Sequence, residues 1–174
     1  MSLGHITSVD EDFKLKDEKT FLRLDIACGN NKKEGFLGID NSKNTQADII
    51  ADLENYPYPF EENSVGEIFC SHYIEHTSDL KRFMEEIYRL LISGGSVNFI
   101  APYYSSIRAM QDFTHKRFIS ENTFLYFNQN WINANGLQQY DIKCNFNIES
   151  IKYIWTNEWK NRAEAAKEFA RKHY

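Results

Sequence analysis

Acidic side chains and one glycine turn follow the first apolar runs of the sequence at intervals that suit the binding of a nucleoside. The run 21–27 leads into a turn at Gly29, a second run ends on Asp40, and a third, 47–53, contains Asp52 near its end. Glycine allows close backbone approach, and a carboxylate at a strand end binds ribose hydroxyls. The pattern therefore predicts a nucleoside-containing cofactor. It is not the three-glycine dinucleotide fingerprint, because only Gly29 lies in the turn itself.

The composition narrows the class of protein. A chain of 174 residues with 42% hydrophobic and 26% charged residues is expected to form one globular domain. A net charge of -5 disfavours nucleic acid as the main partner. No apolar run reaches the roughly 20 residues that span a bilayer, and the first residues lack a signal-peptide pattern. We therefore expect a cytoplasmic protein with no membrane partner.

Cysteine and histidine spacing predicts no metal site. Cys28, Cys70 and Cys144 lie far apart in apolar runs, which favours buried structural thiols. His72 and His76 form an i, i+4 pair, but no third ligand is evident in the sequence.

The periodicity of the chain predicts the elements that position these residues. Residues 1–19 are read as a polar tail and 20–174 as a single domain. Strands are expected at 21–27, 36–40, 47–53, 65–71 and 96–101, and helices at 80–92, 120–127 and 157–172. The helix at 80–92 is expected to end on a Gly94 cap. Alternation through 140–148, followed by a second strand, predicts an antiparallel C-terminal strand pair.

These elements define an α/β fold: a Rossmann-like, mostly parallel sheet with helices on both faces. The connection between the first two strands is unusually short. Parallel crossovers usually need a dozen or more residues, so any first helix is one turn at most.

Several motifs in order resemble the class I S-adenosylmethionine-dependent methyltransferases, specifically the small methyltransferase-11-type proteins. They are Leu24-Asp-Ile-Ala-Cys-Gly29, Ile39-Asp40, Ala51-Asp52-Leu53, Cys70-Ser-His-Tyr-Ile-Glu-His76 and Arg89-Leu-Leu-Ile-Ser-Gly-Gly95. The resemblance covers about 22–101. S-adenosylmethionine carries no phosphate, which agrees with the absence of a phosphate-binding loop.

The resemblance also implies roles for individual residues. Gly29 is expected to face the methionine end of the cofactor, Asp40 the ribose, and Asp52 with Leu53 the adenine. The remaining cofactor-binding candidates are Asp25, Ala27, Asn30 and Ser71. Asp52 has an alternative role as a solvated turn acid.

The segment after the fifth strand is where the resembling proteins bind the acceptor substrate. There His115 is a candidate general base, oriented by Asp112. The alternative is a solvated loop. Tyr103 and Tyr104 either wall the acceptor pocket or pack on the C-terminal strands.

The function expected from the sequence is methyl transfer to an oxygen or nitrogen of a small-molecule or saccharide acceptor. The expected partners are this acceptor and, in a homodimer, a second copy of the chain. The alternatives are a non-catalytic S-adenosylmethionine-binding protein and an NAD-type oxidoreductase. Methylation of RNA is disfavoured by the charge.

Overall fold

The computed structural model describes residues 6–7 and 21–173, with side chains for 21–170. A six-stranded sheet has the order β1-β6-β5-β2-β3-β4, parallel throughout except for the β1–β6 pair. The strands are β1 (Ile6–Thr7), β2 (Leu22–Ile26), β3 (Leu37–Asp40), β4 (Ile49–Ile50), β5 (Val65–Ser71) and β6 (Leu91–Ile100). The helices are α1 (Leu80–Leu90), α2 (Ile107–Gln111), α3 (Glu121–Leu125), α4 (Gln129–Ala134), a 3₁₀ turn (Gln138–Tyr140), α5 (Asn157–Lys160) and α6 (Glu164–His173). The predicted Rossmann-like, mostly parallel α/β sheet is confirmed.

One face of the sheet holds the core. In β6, Phe99 is fully buried, with its ring 6.1 Å from Phe83 of α1 and 5.7 Å from Phe124 of α3, centroid to centroid. The α1 helix starts where the Asp79 carboxylate accepts the Arg82 amide at 3.0 Å. Its apolar residues recur at helical spacing and point at the strands. This helix therefore anchors β5 to β6.

The α1 helix ends earlier than the sequence predicts. Leu91 already pairs with Val65 of β5, so the chain passes directly from helix to strand. Gly94, with a φ of +74°, lies within β6 and does not cap the helix. The pairing of Leu91 with the neighbouring strand outweighs the local glycine signal.

A loop covers the opposite face of the sheet. It stands between β2 and β3, where the sequence allowed a helix of one turn at most. Residues 27–36 join β2 to β3 without a helix. Lys33 Nζ lies 4.4 Å from the Phe36 ring and 4.7 Å from the Phe69 ring, and 3.5 Å from Glu67 Oε1. The Arg23 guanidinium lies 4.2 Å above Phe36. Cations stacked on aromatic rings thus shield this face.

The predicted C-terminal strand pair is wrong. Residues 142–155 form no strand, because side chains satisfy several of their backbone carbonyls. Gln129 Nε2 donates to the carbonyls of Ile142 and Cys144, both at 2.8 Å, and Asn128 Nδ2 donates to that of Phe146 at 2.8 Å. The alternation along 140–148 reflects burial of Cys144 and Phe146, and not a sheet ladder.

The ends of the chain also differ from expectation. Within the predicted tail, Ile6–Thr7 pair antiparallel with Val97 and Ser96, and the rest of 1–19 lies outside the described residues. The strand predicted at 47–53 has only the two residues of β4. The helix predicted at 157–172 is interrupted at 161–163. Among the described residues, no helix has the length and apolar character needed to cross a membrane.

Candidate functional site

Gly29 and Asp40 form one hydrogen-bonded unit at the carboxyl edge of the sheet. The strands β2 and β3 are neighbours, so the turn after β2 lies beside the end of β3. The Gly29 amide donates to Asp40 Oδ2 at 2.9 Å, and the Ala27 amide donates to the Ile39 carbonyl at 2.8 Å. Gly29 has a φ of +50°, a conformation that glycine adopts at little cost. The turn predicted from the sequence is thus held by the acid predicted to bind ribose.

The arrangement around Asp40 fits a nucleoside with a ribose diol. Its second oxygen, Oδ1, accepts the Ser42 amide at 2.9 Å. A carboxylate has about four acceptor positions, so these two amides leave two for ribose hydroxyls. A Cβ placed on Gly29 would meet no atom within 4 Å, which means that the turn is open on the side a ligand would approach.

Three further candidates lie along the same edge, because β5, β2, β3 and β4 are adjacent. Ser71 ends β5 and is half-buried. Asp52 is exposed just after β4, with Oδ1 accepting the Glu54 amide at 3.0 Å. Leu53 is buried, and its carbonyl accepts the Tyr58 and Tyr73 hydroxyls at 2.8 and 3.0 Å. The adenine candidates are therefore next to the ribose candidate.

Asp25 lies one residue before the end of β2 and is only 1% exposed. Its Oδ2 accepts the Lys33 amide at 2.7 Å. Burial raises the pKa of Asp25 above its usual range, against the opposing effects of that hydrogen bond and of the Lys33 and Lys32 charges. Asp25 therefore ties the 27–36 loop to the sheet. Asn30, in the same loop, is exposed.

His115 is held by a carbonyl and lies within ion-pair distance of Asp112. Its Nδ1 donates to the Ala109 carbonyl at 2.9 Å, while its Nε2 is 3.8 Å from Asp112 Oδ2, too long for a hydrogen bond. Asp112 Oδ1 is used by the amide and hydroxyl of Thr114. The backbone turn expected between the two residues is present, since the His115 amide donates to the Asp112 carbonyl at 3.2 Å, and the orienting role of Asp112 stays a prediction. The His115 ring packs edge-on against His76, with 4.7 Å between centroids.

The two tyrosines after β6 have different surroundings. Tyr103 is 2% exposed and bridges to Ile119, and its hydroxyl donates to Glu121 Oε1 at 3.4 Å. Burial and the Glu121 charge raise the pKa of Tyr103. Tyr104 is exposed. Of the two, only Tyr104 has the exposure that pocket lining needs.

A cleft that sequence reasoning missed opens beyond Tyr104. Its volume is about 240 Å³, and its lining includes Ser106, Arg108, Trp155 and Trp159. The two indole rings stack with 5.7 Å between centroids. No motif links 105–108 to 155–159, so only the folded chain shows that these segments meet.

Comparisons with known proteins agree with the fold. Residues 25–99 match the family model described as a methyltransferase domain, Methyltransf_11. No curated protein matches the chain.

Two solved structures illustrate the likeness. One is a SAM-dependent methyltransferase from Archaeoglobus fulgidus, with 20% identity and a TM-score of 0.53, covering 62% of this chain and 59% of that one. The other is a SAM-dependent methyltransferase of Thermotoga maritima, named a possible histamine N-methyltransferase, with 16% identity and a TM-score of 0.51, covering 67% and 63%. At such identities the likeness establishes the fold. The chain spans about three-fifths of the length of these two structures.

Residues 25–99, a little under half of the chain, match the methyltransferase-domain family model, and the sheet has the fold of the class I S-adenosylmethionine-dependent methyltransferases. S-adenosylmethionine is the cofactor of this class, and the open glycine turn with its adjoining carboxylate fits that molecule.

Proposed function

We propose that the protein transfers the methyl group of S-adenosylmethionine to an oxygen or nitrogen of a small-molecule or saccharide acceptor. The observation that carries the proposal is the hydrogen bond from the Gly29 amide to Asp40, which joins the open turn to the ribose-binding acid. When bound, the cofactor supplies an electrophilic methyl group on a sulfonium. The contribution of the chain is to hold donor and acceptor in line.

In this proposal, different residues along the carboxyl edge of the sheet contact different parts of the cofactor. Asp40 accepts from the ribose hydroxyls, and Asp52 with Leu53 lies beside the adenine. The turn Ala27–Asn30 and Ser71 contact the methionine portion, while Asp25 orients its amino end through the loop. Carboxylates near a sulfonium also stabilise its charge.

The cleft at Trp155 and Trp159 supports an aromatic-stacked acceptor such as a saccharide. Indole faces pack against the apolar faces of sugar rings, and Arg108 and Ser106 supply donors for hydroxyl groups. His115 Nδ1 donates to the Ala109 carbonyl, so in the neutral imidazole Nε2 is the acceptor. Proton acceptance from the acceptor hydroxyl is therefore the proposed role of His115, and its replacement by alanine tests that role.

The first experiment measures ligand binding. Thermal denaturation is followed with S-adenosylhomocysteine, S-adenosylmethionine or NAD, because a ligand that binds only the native state raises the melting temperature. We expect shifts with the first two. A shift with NAD alone would establish the oxidoreductase alternative instead.

The second experiment separates an enzyme from a binding protein. Formation of S-adenosylhomocysteine is followed over a library of saccharides, amines and phenols. We expect Trp155→Ala to lower turnover of the preferred acceptor without changing S-adenosylhomocysteine affinity. Trp131→Ala, at an indole outside the cleft, is the matched control. Equal loss in both variants would contradict the acceptor assignment, and no turnover with any acceptor despite cofactor binding would favour the non-catalytic alternative.

The proposed partners are the acceptor and, as a homodimer, a second copy of the chain. Nucleic acid is not among them, since the net charge is -5. Light scattering measures the mass in solution, and a monomer at all concentrations would remove the dimer.

A further inference from the structure

We propose that Glu75, His76 and His115 form a binding site for a divalent transition-metal ion, with Zn²⁺ the best match. Each residue offers one ligand atom, and these atoms all lie within 4.8 Å of one another. Two ligands about 2.1 Å from a tetrahedral ion are about 3.4 Å apart. The most widely separated ligand atoms therefore need to approach each other by up to about 1.4 Å. Two imidazoles and a carboxylate are a ligand set that Zn²⁺ accepts.

Glu75 is a buried carboxylate that lacks part of its pairing. The residue is 1% exposed, and its Oε1 lies 3.2 Å from His72 Nδ1. Its other oxygen, Oε2, is buried and has no hydrogen-bond partner among the residues that the structure describes. An unpaired buried carboxylate oxygen is costly. A bound cation would supply the missing partner.

Both imidazoles have their Nδ1 protons committed to hydrogen bonds. The Thr114 hydroxyl donates to Asp112 Oδ1 at 2.7 Å, so its oxygen accepts the proton of His76 Nδ1 at 3.0 Å. His115 Nδ1 donates to the Ala109 carbonyl. These hydrogen bonds assign both histidines the tautomer with a bare Nε2. An outer hydrogen bond of this kind is what orients metal-ligating histidines.

The two segments that supply the ligands are locked together before any ion binds. The Lys116 amide donates to the Glu75 carbonyl at 2.8 Å, and Arg117 Nη1 donates to the carbonyls of Ile74, at 3.0 Å, and Thr77. The cations of this segment are occupied, since Lys116 Nζ donates to Ser78 Oγ and Arg117 to carbonyls. Neither is bonded to the Glu75 carboxylate. A pre-ordered site loses little conformational entropy on binding.

The sequence could not show this site. His115 is some 40 positions from the other two ligands, and the local pair His72 and His76 is misleading, because His72 hydrogen-bonds to Glu75 but is not one of the three clustered ligands. Three protein ligands leave a fourth position of a tetrahedral ion open. The inference does not rest on the proposed function. With an ion bound, the Nε2 lone pair of His115 is used as a ligand, so the base role proposed above applies to the metal-free protein only.

The test uses the full chain after removal of metal by chelator dialysis. Zn²⁺ is titrated in competition with a chromophoric chelator, and Co²⁺ is added separately to record its absorption spectrum. We expect one ion per chain, a higher melting temperature, and Co²⁺ bands of a four-coordinate nitrogen and oxygen site. Absence of Zn²⁺ binding, or a Co²⁺ spectrum identical to that of the free ion, would overturn the proposal.

Variants locate the ion. His76→Ala, His115→Ala and Glu75→Gln are each expected to raise the dissociation constant for Zn²⁺ by at least about tenfold. This is the lower end of the effect of losing a hydrogen-bond partner of a ligand. His72→Gln is the control, because it removes an imidazole but can still donate to Glu75. Circular dichroism of the metal-free variants separates misfolding from loss of a ligand. Unchanged affinity in folded His76→Ala and His115→Ala would place the ion elsewhere, and the wild-type Co²⁺ spectrum decides the matter if a variant does not fold.

Discussion

Replacing Asp40 by asparagine separates its structural hydrogen bonds from its proposed contact with ribose. In the structure both carboxylate oxygens accept backbone amides, those of Gly29 and Ser42, each at 2.9 Å. An asparagine keeps one acceptor oxygen, so one amide loses its partner. We expect the free energy of unfolding to fall by about 1–3 kcal/mol. Loss of one charge-assisted bond to the cofactor would cost a further ~1.5–3 kcal/mol of binding free energy, which is roughly 10- to 150-fold in Kd.

Two measurements read these effects separately. Urea unfolding followed by circular dichroism gives the stability, and calorimetric titration with S-adenosylhomocysteine gives the affinity. Asp48→Asn is the matched control, because Asp48 also accepts an amide, that of Gly38 at 2.7 Å, but precedes β4 at the other edge of the sheet. We expect it to leave the affinity unchanged. If Asp40→Asn loses stability yet binds S-adenosylhomocysteine like the wild type, Asp40 is a turn acid and the assignment to ribose is refuted.

Three further predictions follow from burial and hydrogen bonding. Because burial raises the pKa of Asp25 from 3.8, its ionised form weakens the fold as the pH rises from 3.8 through the raised value. Asp25→Asn, which can still accept the Lys33 amide, should therefore raise the melting temperature at pH 7 and leave it unchanged below pH 3.8. An equal shift at both pH values would contradict this. Burial raises the pKa of the Cys28 thiol to about 11, so a thiol reagent at neutral pH should react with it only after denaturation, and fast native reaction would show that the thiol is accessible. Gln129→Ala should lower the free energy of unfolding by about 1–3 kcal/mol, because two carbonyls lose their donor. The control is Asn130→Ala at the exposed neighbour, which should leave this free energy unchanged. Equal effects of the two substitutions in urea unfolding would contradict the account.

Strands of the parallel centre were predictable because their signal is local. The strand at 65–71 was predicted with the bounds that it has, and β2 and β3 to within a residue or two. Runs of buried apolar residues next to a turn glycine or a terminal acid are decided by neighbours in sequence. For the same reason, the turn at Gly29 and the end of β3 at Asp40 could be predicted from the sequence.

Features that depend on distant partners were not predictable. Residues 142–148 alternate like a strand, but the amides of Asn128 and Gln129 take the bonds that a neighbouring strand would have made. The antiparallel strand comes instead from Ile6–Thr7, at the other end of the chain. The cleft and the Glu75, His76 and His115 cluster likewise join segments about 40 or more residues apart.

The loop over 27–36 has a consequence for how this fold tolerates change in length. Closing a flexible loop costs only about 0.6 kcal/mol for each doubling of its length. The ends of this loop are fixed by β2 and β3, which pair with each other directly. A helix inserted between Gly29 and Phe36 would therefore add little entropic cost, and its main effect would be to displace Lys33 from the rings of Phe36 and Phe69. The short connection marks a position where homologous chains can differ by a whole helix while keeping the same sheet.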